Sequence, residues 1–227
     1  MLILAIISHY LITRTPMKKM HKKINFDVCT FCNHQCAFCS NPDKRTKKAI
    51  TSFADFKRAM DNVMRYVSTN EMGLSAKGEV LLNKDLESII AHCKQAYKIP
   101  YVYISSNGAL LDAKRAQSLL ESGIDSIKFS INAVDETSYA QTHSKNDFQK
   151  VIQNFKHLIH LKKTAFPNLK LLISSVLTPL NAANPKAHFE RIFGKDFLYI
   201  DAILPYTRAM TQKEYAYNVI GGGAYNK

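Results

Sequence analysis

The chain has 227 residues, 46% of them hydrophobic and 22% charged, with a formal net charge of +13. That balance excludes a collagen-like, low-complexity or disordered chain and suits a globular protein with one large core or two small ones. The positive excess favours anionic partners such as nucleic acid, phosphorylated substrates or acidic redox proteins, without choosing among them.

In chain order, Met1–Ile12 is an apolar run of twelve residues, short of the roughly 20 that span a bilayer. It lacks the flanks of a secretory signal, so it reads as an extension packed on the domain, or as residues ahead of a later start at Met17 or Met20. A membrane role is not expected. Lys18, Lys19, Lys22 and Lys23 follow as a solvated basic run, closing an N-terminal extension over residues 1–23. Ile24–Cys29 is the first expected strand. Ser52 and Asp55 form a capping pattern before a helix with Phe53, Phe56, Met60, Val63 and Val67 at helical spacing. Met72–Ala76 is a second short strand, and Leu86, Ile89, Ile90, Cys93 and Tyr97 mark the next helix. Tyr101–Ser105 is β-rich and stops at the turn signal Asn107-Gly108. Asp112 caps a helix through Leu120, with Gly123 at its left-handed end. Ser126–Ile131 is a strand, followed by a helix carrying Phe148, Val151, Ile152, Phe155, Leu158 and Ile159. Leu169–Leu177, a weaker helix at Ala187–Phe193 and a strand at Phe197–Leu204 complete the pattern.

Six strands with five helices between them occupy 181 residues from Ile24 to Leu204, about 30 per unit, the length of a βαβ repeat. Such repeats imply a parallel sheet with helices outside. A closed eight-unit barrel takes about 250 residues, so the expectation is an α/β fold: an incomplete (β/α)6 barrel over residues 24–206. Residues 207–227 read as a poorly packed or truncated tail.

Five cysteines are an odd number, and four crowd between Cys29 and Cys39. So tight a cluster closes no useful disulfide loop and points to metal. In Cys32-Asn33-His34-Gln35-Cys36-Ala37-Phe38-Cys39, three thiolates spaced CxxxCxxC can converge on one 4Fe–4S cube and leave its fourth iron open. An electron-transfer cluster would usually take four ligands. The loop also leaves the C-terminal end of a strand, where barrels place active sites.

These residues resemble the signature of the radical S-adenosylmethionine (SAM) enzymes, including the aromatic Phe38 before the last cysteine. The resemblance implies that the open iron chelates SAM and that one electron cleaves it into methionine and a 5′-deoxyadenosyl radical, which takes hydrogen from a substrate. Ala76-Lys77-Gly78-Glu79-Val80 is similar to the family's Gly-Gly-Glu-Pro stretch, which implies that Gly78 gives backbone freedom and that Glu79 pairs with the SAM ammonium. Ser106-Asn107-Gly108 resembles its Thr-Asn-Gly turn, and Ser130 and Asn132 stand where polar side chains reach SAM. An arginine often follows in the family; this chain has His143, read from sequence as a surface residue flanking a helix.

The resemblance implies a peptide, cofactor precursor or carbohydrate as substrate, and is strongest to the branch that often carries a C-terminal auxiliary-cluster domain. No second cysteine group follows Cys93. It also implies a low-potential donor of flavodoxin or ferredoxin type, to which Lys44, Arg45, Lys47 and Lys48 offer a basic rim, and a cytoplasmic setting for an oxygen-sensitive cluster. Two alternatives stay open: an activating enzyme that makes a glycyl radical on a partner, and a non-catalytic zinc or iron–sulfur module with a basic face toward nucleic acid. Zinc would recruit Cys29 beside Cys32, Cys36 and Cys39, although the pairs are unusually close for a zinc ribbon. Aromatic residues do not interleave with the basic ones, which argues against nucleic acid. Cys29 and Cys93 read as packed residues, and His34 as solvent-facing or hydrogen-bonded.

Overall fold

The computed structural model describes residues 18–37, 39, 47–74, 78–176 and 184–202. Among them, six strands alternate with six α-helices: β1 (Lys19–Asn25), α1 (Phe53–Tyr66), β2 (Val67–Gly73), α2 (Leu86–Gln95), β3 (Tyr101–Ser106), α3 (Ala113–Glu121), β4 (Ser126–Ser130), α4 (Glu136–His143), α5 (Phe148–Thr164), β5 (Lys170–Val176), α6 (Pro185–Phe193) and β6 (Leu198–Ala202). All neighbours pair in parallel, in the order β1-β2-β3-β4-β5-β6. This is the expected partial barrel. The apolar run Met1–Ile12, the residues Ala76 and Lys77, and the tail 207–227 lie outside the described residues.

The two faces of the sheet differ because side chains alternate along each strand. Met72, Val102, Ile104, Ile127, Phe129 and Ile173 point to the helices and are fully buried. The register places Lys23, Tyr101, Tyr103, Ser105, Lys128 and Ser130 on the opposite, inner face. Helix starts follow local chemistry: Ser52, Asp112 and Asn184 each accept a hydrogen bond from a backbone N–H in the first turn, satisfying a donor the helix cannot.

Several expectations shift. The first strand is the lysine run itself rather than Ile24–Cys29. Among the described residues it pairs on one side only, and an edge strand tolerates exposed lysines that discourage further pairing. Cys29 forms an isolated antiparallel bridge with Ile50. β2 begins at Val67 directly after α1, and the buried stripe of α1 is Phe56, Met60 and Met64, whereas Val63 is 41% exposed. Between β4 and β5 there are two helices where one was expected. The first, α4, is short and weakly amphipathic, so hydrophobic spacing does not reveal it.

Candidate active site

The cysteine loop leaves the sheet after β1 and is tied at its base. Thr30 N–H donates to Ala49 O (3.0 Å) and Thr51 N–H to Val28 O (3.1 Å). Beneath it runs the Gly78-Glu79 backbone: Glu79 N–H donates to Phe31 O at 2.9 Å. A Cβ on Gly78 would meet Phe31 O at 2.4 Å and Cys29 O at 2.5 Å. Glycine is required here for close approach rather than for the backbone freedom expected from sequence.

Glu79 is 2% exposed, and its carboxylate accepts three hydrogen bonds, two from the Ser106-Asn107 turn and one from its own segment. Oε1 accepts from Ser106 Oγ–H (2.7 Å) and Leu81 N–H (3.0 Å), and Oε2 from Asn107 N–H (2.8 Å). An ionised carboxylate has about four lone-pair sites, so one on Oε2 remains for a ligand. Burial pushes the Glu79 carboxyl upward, opposed by these hydrogen bonds. Asn107 then reaches the cysteine loop, its Nδ2 donating to Asn33 Oδ1 at 2.8 Å and lying 3.6 Å from Cys32 Sγ. The next residue, Gly108, has φ +78° and lies against the Phe129 ring, and Asn154 of α5 donates to its carbonyl at 2.8 Å.

On the other side the loop rests on the C-terminus of α4, whose last carbonyls have no partner within the helix. Ala37 N–H donates to Thr142 O at 2.9 Å, and Gln35 N–H lies 3.4 Å from His143 O. His143 is 1% exposed, which corrects its reading as a surface residue. Its ring stacks on Tyr139 at 4.1 Å, its Nδ1 lies 3.5 Å from Cys36 Sγ, and its Nε2 lies 3.2 Å from Asn132 N. Burial and the His34 charge lower its imidazole pKa to about 3. His34 is buried as well, not solvent-facing, with Nε2 at 3.1 Å from Asp147 Oδ2.

Asn132 is buried and spans the site's edge: Oδ1 accepts from Val176 N–H at 2.7 Å, and Nδ2 lies 3.3 Å from His143 Nε2. Ser130 sits half-buried on the inner face, 3.5 Å from Ser105 Oγ. Phe38 lies outside the described residues. The structure therefore brings Cys32, Cys36, Gly78, Glu79, Ser106, Asn107 and Asn132 around one loop.

The donor set fits a cube better than a single ion. Cys32 is exposed, and Cys36 and Cys39 are half-buried free thiols. Burial raises the Cys32 and Cys36 thiols, Cys36 to about 12, with the charges of Cys39 and Cys32 adding to the latter. Among the described residues, the three ligand atoms within 4.8 Å of one another belong to His34, Cys36 and His143. One zinc ion would need its sulfurs gathered, whereas a 4Fe–4S cube spreads three cysteines over three irons. Cys29, the extra sulfur for zinc, is buried and donates to Phe31 O at 3.2 Å.

Sequence reasoning missed Asn83, Tyr139 and Asp147. Asn83 is fully buried and donates to Val28 O (3.0 Å) and Thr51 O (2.9 Å), fastening the loop base to the Glu79 segment. A lone asparagine carries no readable signal. Tyr139 and Asp147 do not share a helical stripe: α4 ends at His143 with Ser144 left-handed, and Asp147 opens α5, so only the fold brings them together.

The radical SAM superfamily profile matches residues 27–192. Of the curated relatives, 7,8-dihydro-6-hydroxymethylpterin dimethyltransferase of Methanocaldococcus jannaschii is 30% identical over 137 residues, covering 58% of this chain and 27% of the relative. The S-adenosylmethionine-dependent nucleotide dehydratase of Selenomonas ruminantium is 24% identical over 168 residues, covering 72% and 59%. Among solved structures, Streptococcus suis SuiB bound to S-adenosylmethionine has a TM-score of 0.62 at 15% identity, covering 90% of this chain and 45% of that one. The chain thus spans less than two thirds of the length of each of these proteins.

Proposed function

The chain belongs to the radical SAM superfamily, and from that premise we propose that Cys32, Cys36 and Cys39 hold its 4Fe–4S cluster while Glu79, Ser106, Asn107 and Ser130 position SAM. The superfamily's members are enzymes that use this cluster and SAM. When reduced, the cluster and SAM together supply a 5′-deoxyadenosyl radical that takes hydrogen from the substrate. The protein's part is to bind, orient and exclude water. One observation carries the assignment: Asn107 joins Glu79 through its backbone and the cysteine loop through its side chain, so three motifs distant in sequence form one hydrogen-bonded unit.

Within that unit, the remaining lone pair of Oε2 is suited to the ammonium of SAM, and a charge-assisted hydrogen bond there gains from burial. The inner face of the sheet is where the substrate would lie. Burial and the Lys23 charge lower the Lys128 ammonium pKa, and no carboxylate among the described residues pairs with Lys128. Of a peptide, cofactor precursor or carbohydrate, this face favours a substrate bearing an anionic group. Lys47 and Lys48, exposed beside the loop, favour an acidic flavodoxin or ferredoxin as electron donor.

The test is anaerobic reconstitution, reduction with SAM present, and mass-resolved assay of 5′-deoxyadenosine, against a Cys32/Cys36/Cys39→Ala control. Deoxyadenosine from the wild type alone is the expected result. Zinc retained with no iron would overturn the reading.

A further inference from the structure

The tautomer of His143 is fixed by its surroundings, and this has a consequence for Cys36. Asn132 N, 3.2 Å from His143 Nε2, is a peptide nitrogen and can only donate. Nε2 is therefore the acceptor, and in a neutral imidazole the proton then sits on Nδ1. Nδ1 lies 3.5 Å from Cys36 Sγ, so the N–H is aimed at the sulfur. The geometry is braced on both sides: the ring is stacked on Tyr139, and Asn132 is anchored to β5 by the hydrogen bond from Val176 N–H. The same logic disfavours an ion bound among His34, Cys36 and His143. Such an ion would need a bare Nδ1, which would put a proton on Nε2 facing the Asn132 N–H.

We propose that His143 is a positioning residue for the cluster, donating Nδ1–H to the Cys36 thiolate and thereby raising the reduction potential. This rests on the reading above that Cys36 ligates the cluster. An N–H dipole aimed at a ligand sulfur stabilises the reduced, more negative cluster more than the oxidised one. The step concerned is the addition of one electron from an external reductant; no covalent bond forms or breaks and the imidazole keeps its proton. The loop itself already supplies Cys32 with such a donor, His34 N–H at 3.4 Å. For Cys36 the donor comes from α4.

The experiment is a mediated potentiometric titration of the reconstituted holoenzyme, followed by electron paramagnetic resonance, on the wild type, His143→Phe and His143→Asn. Phenylalanine keeps the ring and its stacking but removes the donor, whereas the asparagine amide places a donor near the Nδ1 position. At the wild-type midpoint potential, His143→Phe is expected to lower the reduced-to-oxidised ratio about tenfold, a shift of ~59 mV for one electron. His143→Asn should stay within about twofold of the wild type on that scale. An unshifted His143→Phe, or a His143→Asn shifted as far, overturns the proposal. Nitrogen NMR of the labelled wild-type apoprotein provides a measurement free of variants and of iron: Nδ1 is expected protonated and Nε2 bare, and the reverse overturns the proposal. A wild type that binds no iron defeats the underlying reading instead, which the NMR result would leave distinguishable.

Discussion

A β-carbon at position 78 would fall 2.4 Å from one backbone oxygen and 2.5 Å from another, and backbone cannot swing aside as a long side chain can. Gly78→Ala is therefore expected to lose about 1–3 kcal/mol, the ordinary cost of overpacking, and to displace the cysteine loop. Denaturation of the apoprotein reads the first effect, and iron bound per chain after reconstitution reads the second. Glu79→Gln keeps the shape but turns one end of the side chain from acceptor to donor, facing the N–H of Asn107 or of Leu81. The expected loss is about 1–3 kcal/mol for a buried donor left without its acceptor, together with weaker SAM binding by equilibrium dialysis. Unchanged SAM affinity in a folded Glu79→Gln protein would remove Glu79 from the SAM site. Cys29→Ala, in contrast, should retain full iron, because that sulfur is committed to Phe31 O.

Helix α4 carries His143 to the cysteine loop, and its start depends on Asp135, whose side chain accepts from Ser138 N–H in a full capping box. Asp135→Ala is expected to cost about 1 kcal/mol at neutral pH, the usual worth of an N-cap. The Ser138 hydrogen bond lowers the Asp135 carboxyl from its ordinary 3.8. The stability it contributes is thus present above that value and lost as pH falls below it through the folded-state pKa. Denaturation midpoints of wild type and variant should converge in acid. The legibility of the fold varies along the same lines. Strands β3 to β5 could be read because their runs are apolar or β-branched and end in turn signals. β1 was misplaced because its residues are lysines, acceptable only because the strand is an edge. α4 was missed because it is held by capping and by the cysteine loop, not by an apolar stripe. At the site, Cys32, Glu79 and Asn107 were legible as motif positions. His143, Tyr139 and Asp147 matter only through a packing arrangement that spacing along the chain does not reveal.

On the scale of the molecule, the chain carries a net charge of +13, and the proposed acidic electron donor would be drawn by it over a distance of about one Debye length, ~8 Å at physiological salt. Reduction by such a donor should slow as ionic strength rises, whereas reduction by a small chemical reductant should change far less; stopped-flow traces in a salt series distinguish them. Lys128→Met removes a half-buried ammonium that has no carboxylate partner among the described residues, so the denaturation midpoint should rise slightly while turnover of an anionic substrate falls. The sequential order of the sheet, each strand beside its neighbour in the chain, also determines when the thiols find shelter during synthesis. Parallel units can dock one after another as the ribosome releases them, yet Cys39 and Gly78 are separated by roughly forty residues, on the order of 2–8 s of translation at about 5–20 residues per second. For that interval the nascent chain displays bare, oxidisable sulfur with neither the floor of Gly78 nor the Glu79 scaffold behind it, and α4 arrives later still. If those thiols hold the proposed cluster, its site is complete only once the chain has grown past the fourth strand, and the growing polypeptide is most open to oxidation before then.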